Sequence, residues 1–144
     1  KLILGHLSPS DGEVRYPHPL RTVYFPQNAA MELVLKPDLA DLDVTEVVQK
    51  VAAGEISVDG SLKGSSVEKG SMSELQARSH LGNFGLTKTL AHRRVASLST
   101  GERTRLYLAL LMIGFVKNKP PNLMILDEIT DNLDVDTVDS LVSA

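Results

Sequence analysis

Two adjacent carboxylates, Asp127 and Glu128, follow directly on the apolar run Leu123-Met124-Ile125-Leu126. A continuous apolar stretch after the Pro120-Pro121 break reads as a strand buried on both faces. The acids then stand at its C-terminal end, where open α/β sheets bind ligands. A carboxylate fixed there can hold Mg²⁺ or a Mg²⁺-bound water, and its neighbour can take a proton from an attacking water. Two acids at a solvated strand end are also common without such a role, so the pair alone decides nothing. A second group, Ser99-Thr100-Gly101-Glu102, opens an apolar helical pattern over 103–115. Ser99 as N-cap with Glu102 three residues later makes a capping box. A hydroxyl and unpaired N–H groups at the positive end of a helix form an anion site. The same residues equally make a plain helix cap.

Order along the chain adds what each motif lacks. Leu98-Ser99-Thr100-Gly101-Glu102 resembles the signature of ATP-binding-cassette (ABC) domains, with Thr100 where that family usually has Gly. One helix later, Leu123 to Leu126 with Asp127 and Glu128 resembles a Walker B strand and its adjoining acid. Ile129-Thr130-Asp131-Asn132-Leu133-Asp134 resembles the continuation Pro-Thr-Asn-His-Leu-Asp, whose Leu-Asp pair is the D-loop. Upstream, Tyr24-Phe25-Pro26-Gln27 resembles the Q-loop, and residues 1–14 resemble the segment that follows a Walker A lysine. These motifs stand in family order across nearly the whole chain. The sequence is therefore identified as a member of the ABC nucleotide-binding domains. Asp131-Asn132 is closer to the Asn-His of ABC-F proteins than to the Ser-Ala of exporters. Residues 81–86 are similar to the stretch before the signature in the second of the two ABC-F cassettes.

The resemblance implies an α/β, P-loop NTPase-like cassette with a helical insertion subdomain. It places the ATPase core at 1–27 and 99–144 and the helical subdomain at about 28–98, with a mobile loop at 60–72. It implies ATP and Mg²⁺ as ligands. Gln27 and Asp127 are expected at the metal, directly or through water, and Glu128 as the base. Ser99, Thr100, Gly101 and Glu102 are expected over the γ-phosphate held by an opposing cassette, with Leu133 and Asp134 as D-loop. The expected partners are a second cassette on the same chain and the ribosome or its RNA, in the cytoplasm. Two rivals remain open at this point: an ATPase subunit of a membrane transporter, and a binding module that does not hydrolyse.

The departures are specific. Ile129 replaces a usual Pro, and no Gly-x-x-x-x-Gly-Lys-[Ser/Thr] occurs, so the Walker A phosphate cradle is absent from these residues. The His expected beyond the D-loop is absent as well. His6, His18, His80 and His92 fit neither that position nor a metal-ligand spacing, and read as surface or packing residues. Arg93, Arg94, Arg103 and Arg105 cluster around the signature. They read as solvated positions or as contacts to RNA phosphates or a partner cassette.

The elements that must position these groups are legible in outline. Residues 1–7 read as the end of a helix stopped by Ser8-Pro9-Ser10-Asp11-Gly12, and 13–16 as a short strand. Arg21-Thr22-Val23-Tyr24-Phe25 reads as a second strand, rich in β-branched and aromatic residues. Residues 29–53 read as mostly helical, 60–70 as a loop, and a helix beginning at 71–73 runs to Leu81, closed by Gly82. In the signature helix, Leu106, Ala109, Leu110 and Ile113 define one apolar face.

With 144 residues and 42% hydrophobic content the chain suits one globular domain. A net charge of −3 offers no global basic field for nucleic acid, and the lack of Cys excludes disulfides and thiolate metal sites. The longest apolar stretch, 106–116, is too short for a bilayer span of about 20 residues. Both ends fall inside apolar helical patterns without cap chemistry, so the chain reads as an excised piece. Such a piece is expected to lack ATPase activity on its own and to leave the 123–126 strand partly uncovered.

Overall fold

A computed structural model describes residues 7–15, 22–56, 71–116 and 123–127. Two strands, β1 (Thr22–Phe25) and β2 (Leu123–Leu126), pair in parallel. Their register sets Thr22 against Leu123, Val23 against Met124, Tyr24 against Ile125 and Phe25 against Leu126. Parallel partners cannot be joined by a tight turn. Here the connection carries every helix described: α1 (Ala29–Leu35), α2 (Pro37–Ala40), α3 (Val44–Ala52), α4 (Glu74–Gly82) and α5 (Thr100–Val116). Two short 3-10 turns, Lys88–His92 and Val95–Ser97, lead into α5.

Each helix forms for a local reason. In α3, Val44, Val47, Val48, Val51 and Ala52 repeat at helical spacing and are all buried. Its start is fixed by Asp43, whose backbone N–H donates to Glu46 Oε2 at 3.1 Å. In α4 the buried face is Ala77, His80 and Leu81. Ser73 and Gln76 close a second capping box there, with Ser73 N–H donating to Gln76 Oε1 at 2.9 Å. That start agrees with the sequence expectation. The chain reversal after α4 uses a glycine beyond the expected Gly82: Gly85, at φ +69, takes the left-handed conformation. A β-carbon on Gly85 would also meet Arg105 Nη1 at 2.8 Å.

Helix α5 is the centre of the core. The sequence suggested a single apolar stripe, but Leu106, Tyr107, Leu108, Ala109, Leu110 and Leu111 are buried on every side. The reason is tertiary: α1, α3 and α4 all pack on it. Its Tyr107 ring meets Phe25 edge-on, with centroids 5.2 Å apart at 79°, which ties α5 to β1. The Tyr107 hydroxyl reaches Glu32 Oε2 of α1 at 3.4 Å. His80 of α4 is a packing residue, as the sequence suggested. It is buried beside Phe84, and Nε2 stands 2.8 Å from the Ala109 carbonyl of α5. A carbonyl can only accept, so Nε2 is the donor in this contact.

Two sequence expectations are corrected. Residues 13–15 form no strand: they are exposed, and Arg15 and Glu13 pair with each other rather than with a neighbouring strand. A ladder needs a partner, and none of the described strands lies beside them. The second correction concerns β2: it lacks the cover on both faces that its apolar run suggests, and is partly uncovered, as expected of this piece of sequence. Leu123, Met124 and Ile125 are half-buried and Leu126 is 43% exposed, because β1 is its only neighbour among the described residues. Residues 1–6, 16 and the 60–70 loop lie outside the described residues.

Candidate nucleotide site

The β1–β2 register decides which side chains meet. Pairing Phe25 with Leu126 brings the ends of both strands to one edge, so Gln27 and Asp127 leave the sheet on the same side. The Asp127 N–H donates to the Phe25 carbonyl at 3.0 Å, which extends the pairing one step beyond the strand. Asp127 is therefore held by its backbone while its carboxylate is exposed. Gln27 is exposed too, two residues before the start of α1.

Side chains alternate across a sheet. Val23 and Phe25 turn into the core at 3% and 2% exposure, which sends Tyr24 to the other face. Register partners share a face, so Tyr24 lies with Ile125 and with Asp127 beyond it. The Tyr24 hydroxyl donates to Asp127 Oδ2 at 3.1 Å, across 103 residues of sequence.

The donor set suits Mg²⁺. An exposed carboxylate and an amide oxygen are hard ligands, and Mg²⁺ characteristically binds one or two carboxylates while phosphate oxygens and water complete its shell. Among the described residues there is no cluster of three or more His, Cys, Asp or Glu that could cage a metal by itself. Phosphate oxygens and water would complete the shell of an ion held by these two groups.

The signature turn is built as its sequence suggests. Ser99 N–H donates to Glu102 Oε2 at 2.7 Å, and Glu102 N–H donates to Ser99 Oγ at 3.3 Å. Ser99 and Thr100 are exposed, while Gly101 and Glu102 are half-buried. The Ser99 carbonyl takes the Arg103 N–H at 2.9 Å and the Thr100 carbonyl takes Thr104 Oγ1 at 3.0 Å, so the helix starts without slack. Glu102 is held below the usual carboxylate pKa, first by the Ser99 backbone N–H, against the opposing effect of burial. The Ser99 hydroxyl and the charges of Arg93 and Arg105 lower it further.

The arginines around this turn are not simply solvated. Arg93 donates to the Ser97 carbonyl and lies 3.9 Å from Glu102. Arg103 Nη2 donates to the Ala96 carbonyl at 2.7 Å. Both brace the loop entering the signature. Arg94 is exposed, with its backbone bridged to Asp43. That bridge places Val44 N–H on Arg93 O at 3.0 Å and Val95 N–H on Leu42 O at 3.1 Å, which pins the loop to the start of α3.

Tyr107, which touches β1, lies about two turns into α5, so the signature turn stands roughly 10 Å along the helix axis from that contact. The turn and the strand ends are thus two separate patches.

No family model matches the chain. Curated relatives match it along nearly its whole length. It is 35% identical over 144 residues to the ATP-binding protein Uup-like of Haemophilus influenzae, covering 98% of this chain and 26% of that protein. ATP-binding cassette sub-family F member 3 of Mus musculus is 31% identical over 145 residues, covering 100% of this chain and 16% of that protein. ATP-binding protein Uup of Escherichia coli is 34% identical over 143 residues, covering 98% and 18% respectively. The chain is an ABC-F-like cassette sequence. It spans between about a sixth and a quarter of the length of these relatives.

In this ABC-F-like chain Gln27 and Asp127 follow the C-terminal ends of the two paired strands, and Ser99, Thr100, Gly101 and Glu102 form a separate turn at the start of α5. Glu128, Leu133 and Asp134 lie outside the described residues. Sequence reasoning missed Tyr24 as a partner of Asp127, because the contact follows only from the strand register. It also missed Arg93 and Arg103 as braces, for which clustering near the turn was the one available signal.

Proposed function

We propose that this chain forms part of an ATP-hydrolysing cassette of the ABC-F type, which acts on the ribosome when paired with a second cassette of the same protein. The observation that carries this reading is the parallel β1–β2 register, which sets Gln27 and Asp127 at one sheet edge while a capped Ser99–Glu102 turn opens α5. In this reading residues 1–27 and 99–144 belong to the ATPase core and about 28–98 to the helical subdomain. Gln27 and Asp127 would hold Mg²⁺ and water, and a bound ion would neutralise charge on the phosphates of ATP. Glu128 accepts a proton from the attacking water as its oxygen bonds to the γ-phosphorus. The bond from phosphorus to the β–γ bridging oxygen breaks, and ADP and phosphate are released. Ser99 and Gly101 contact the γ-phosphate bound to the opposing cassette, as oriented donors that need no rearrangement during reaction. Leu133 and Asp134 form the D-loop between the two sites. Hydrolysis reopens the pair, and that motion is the output to the ribosome.

Glu128→Gln in the full-length protein tests the base. It is expected to accumulate a closed, ATP-bound form that co-sediments with ribosomes. Ordinary turnover by this variant would overturn the assignment of Glu128. Co-purification with a membrane permease in place of ribosomal proteins would move the function to a transporter subunit.

A further inference from the structure

We propose that Tyr24 is a positioning residue for the metal-binding carboxylate: its hydroxyl holds Asp127 Oδ2 and so presents Oδ1 to the Mg²⁺ shell. This rests on the reading of Asp127 as the Mg²⁺ carboxylate. Three observations carry it. The hydroxyl lies 3.1 Å from Oδ2, within hydrogen-bond reach at the long end for an O–H···O contact. The strand register puts both residues on the sheet face opposite the core, so the contact is dictated by pleat and pairing and not by a chance rotamer. The neighbouring residue of the same strand, Phe25, accepts the Asp127 N–H at 3.0 Å. One strand therefore grips both the backbone and the side chain of Asp127.

The physical need is evident from the exposure of Asp127. A carboxylate just past a strand end, in water, rotates between several orientations, and each must be given up before it can serve a metal shell. A tyrosine has only two side-chain torsions, and its ring is partly buried here, so its hydroxyl is a stiff anchor. Donation to one carboxylate oxygen leaves acceptor capacity on the other, which is what a metal-bound water requires. A phenylalanine would fill the same space without orienting the acid.

The test uses the full-length protein and a fluorescent, non-hydrolysable ATP analogue, titrated with Mg²⁺ and separately in EDTA. Tyr24→Phe is expected to raise the Mg²⁺ concentration for half-maximal binding by roughly three- to tenfold, the net worth of one ordinary hydrogen bond, since this one is long and solvent-exposed. Affinity in EDTA is expected to stay unchanged. Asp127→Asn is expected to remove the Mg²⁺ dependence, and Tyr24→Phe should add nothing in that background. An unchanged Mg²⁺ requirement in Tyr24→Phe, with Asp127→Asn defective, overturns the role of Tyr24 and leaves the site standing. Equal losses with Mg²⁺ and in EDTA overturn it too, since they mark a purely structural effect. Normal Mg²⁺ dependence in Asp127→Asn overturns the underlying reading of the site. Because each variant is compared with itself in two conditions, a partly destabilised Tyr24→Phe still returns a ratio.

Discussion

Glu102 offers a quantitative handle on the signature turn, because its role there is geometric and its charge can be removed without removing its shape. Its carboxylate accepts the Ser99 N–H at 2.7 Å and its own N–H reaches Ser99 Oγ at 3.3 Å. Loss of a capping interaction costs about 0.5–2 kcal/mol. The Arg93 contact adds little: at 3.9 Å, with side chains 43% and 17% exposed, it is a screened pair worth at most about 1 kcal/mol. Glu102→Ala should therefore weaken the turn by about 1–2 kcal/mol, or roughly 5- to 30-fold faster amide hydrogen exchange across 98–104 in the full-length protein. Glu102→Gln keeps an acceptor for Ser99 and loses only the charge, so its exchange should fall between wild type and Glu102→Ala. The pH dependence follows from the lowered pKa. The charged form is favoured in the folded state, so this stabilisation is complete above the ordinary glutamate value of about 4.3. It is lost as pH falls through the depressed folded value. Wild type and Glu102→Gln should thus differ at neutral pH and converge in acid, after correction for intrinsic exchange. A gap that does not narrow as the pH is lowered below the ordinary glutamate range, or no gap at pH 7, would refute this account of the turn.

Two further substitutions probe the α4–α5 connection through the backbone, with opposite signs expected. Gly85→Ala should destabilise by about 1–2 kcal/mol in a denaturant melt, since φ +69 strains any residue with a β-carbon; Arg105, a flexible side chain, can withdraw from the 2.8 Å contact at small cost. A neutral result would mean the turn readily adopts another conformation. Lys88 holds φ 53 with a full side chain, so Lys88→Gly should stabilise by up to about 1 kcal/mol once the greater freedom of the unfolded chain is deducted. Destabilisation would show that the lysine side chain does more than tolerate that strain.

The site was legible to different depths. Ser99 and Glu102 were readable in full, because a capping box is a relation between residues three apart, and the helix that realises it starts at Thr100. Gln27 and Asp127 were readable as strand-end residues, yet nothing local states that their strands are neighbours. The resemblance to ABC cassettes supplied that link, and the register then gave it a geometry. Tyr24 was beyond reach, since a one-step slip of register would turn its side chain away from Asp127. Arg93 and Arg94 are exposed as their composition suggests, but the bracing by Arg93 and Arg103 was unreadable for a related reason. Charge near a helix start says nothing about which carbonyls lie within reach, and the carbonyls of Ala96 and Ser97 become targets only when the loop folds back.

What the sequence determined by itself is local: the capped starts of α3, α4 and α5, the helical spacing of Val44, Val47, Val48 and Val51, and the β-branched run of β1. Such features depend on residues within one or two turns of each other, and their free energies are set before any long-range contact forms. Tertiary structure decided the rest. It surrounded α5 with three helices where a single apolar stripe had been expected, left residues 13–15 unpaired, and gave β2 one described neighbour. It also joined Tyr24 to Asp127. Each of these outcomes depends on which surfaces meet across tens of residues, and hydrophobic burial, being non-directional, does not specify that until the chain packs.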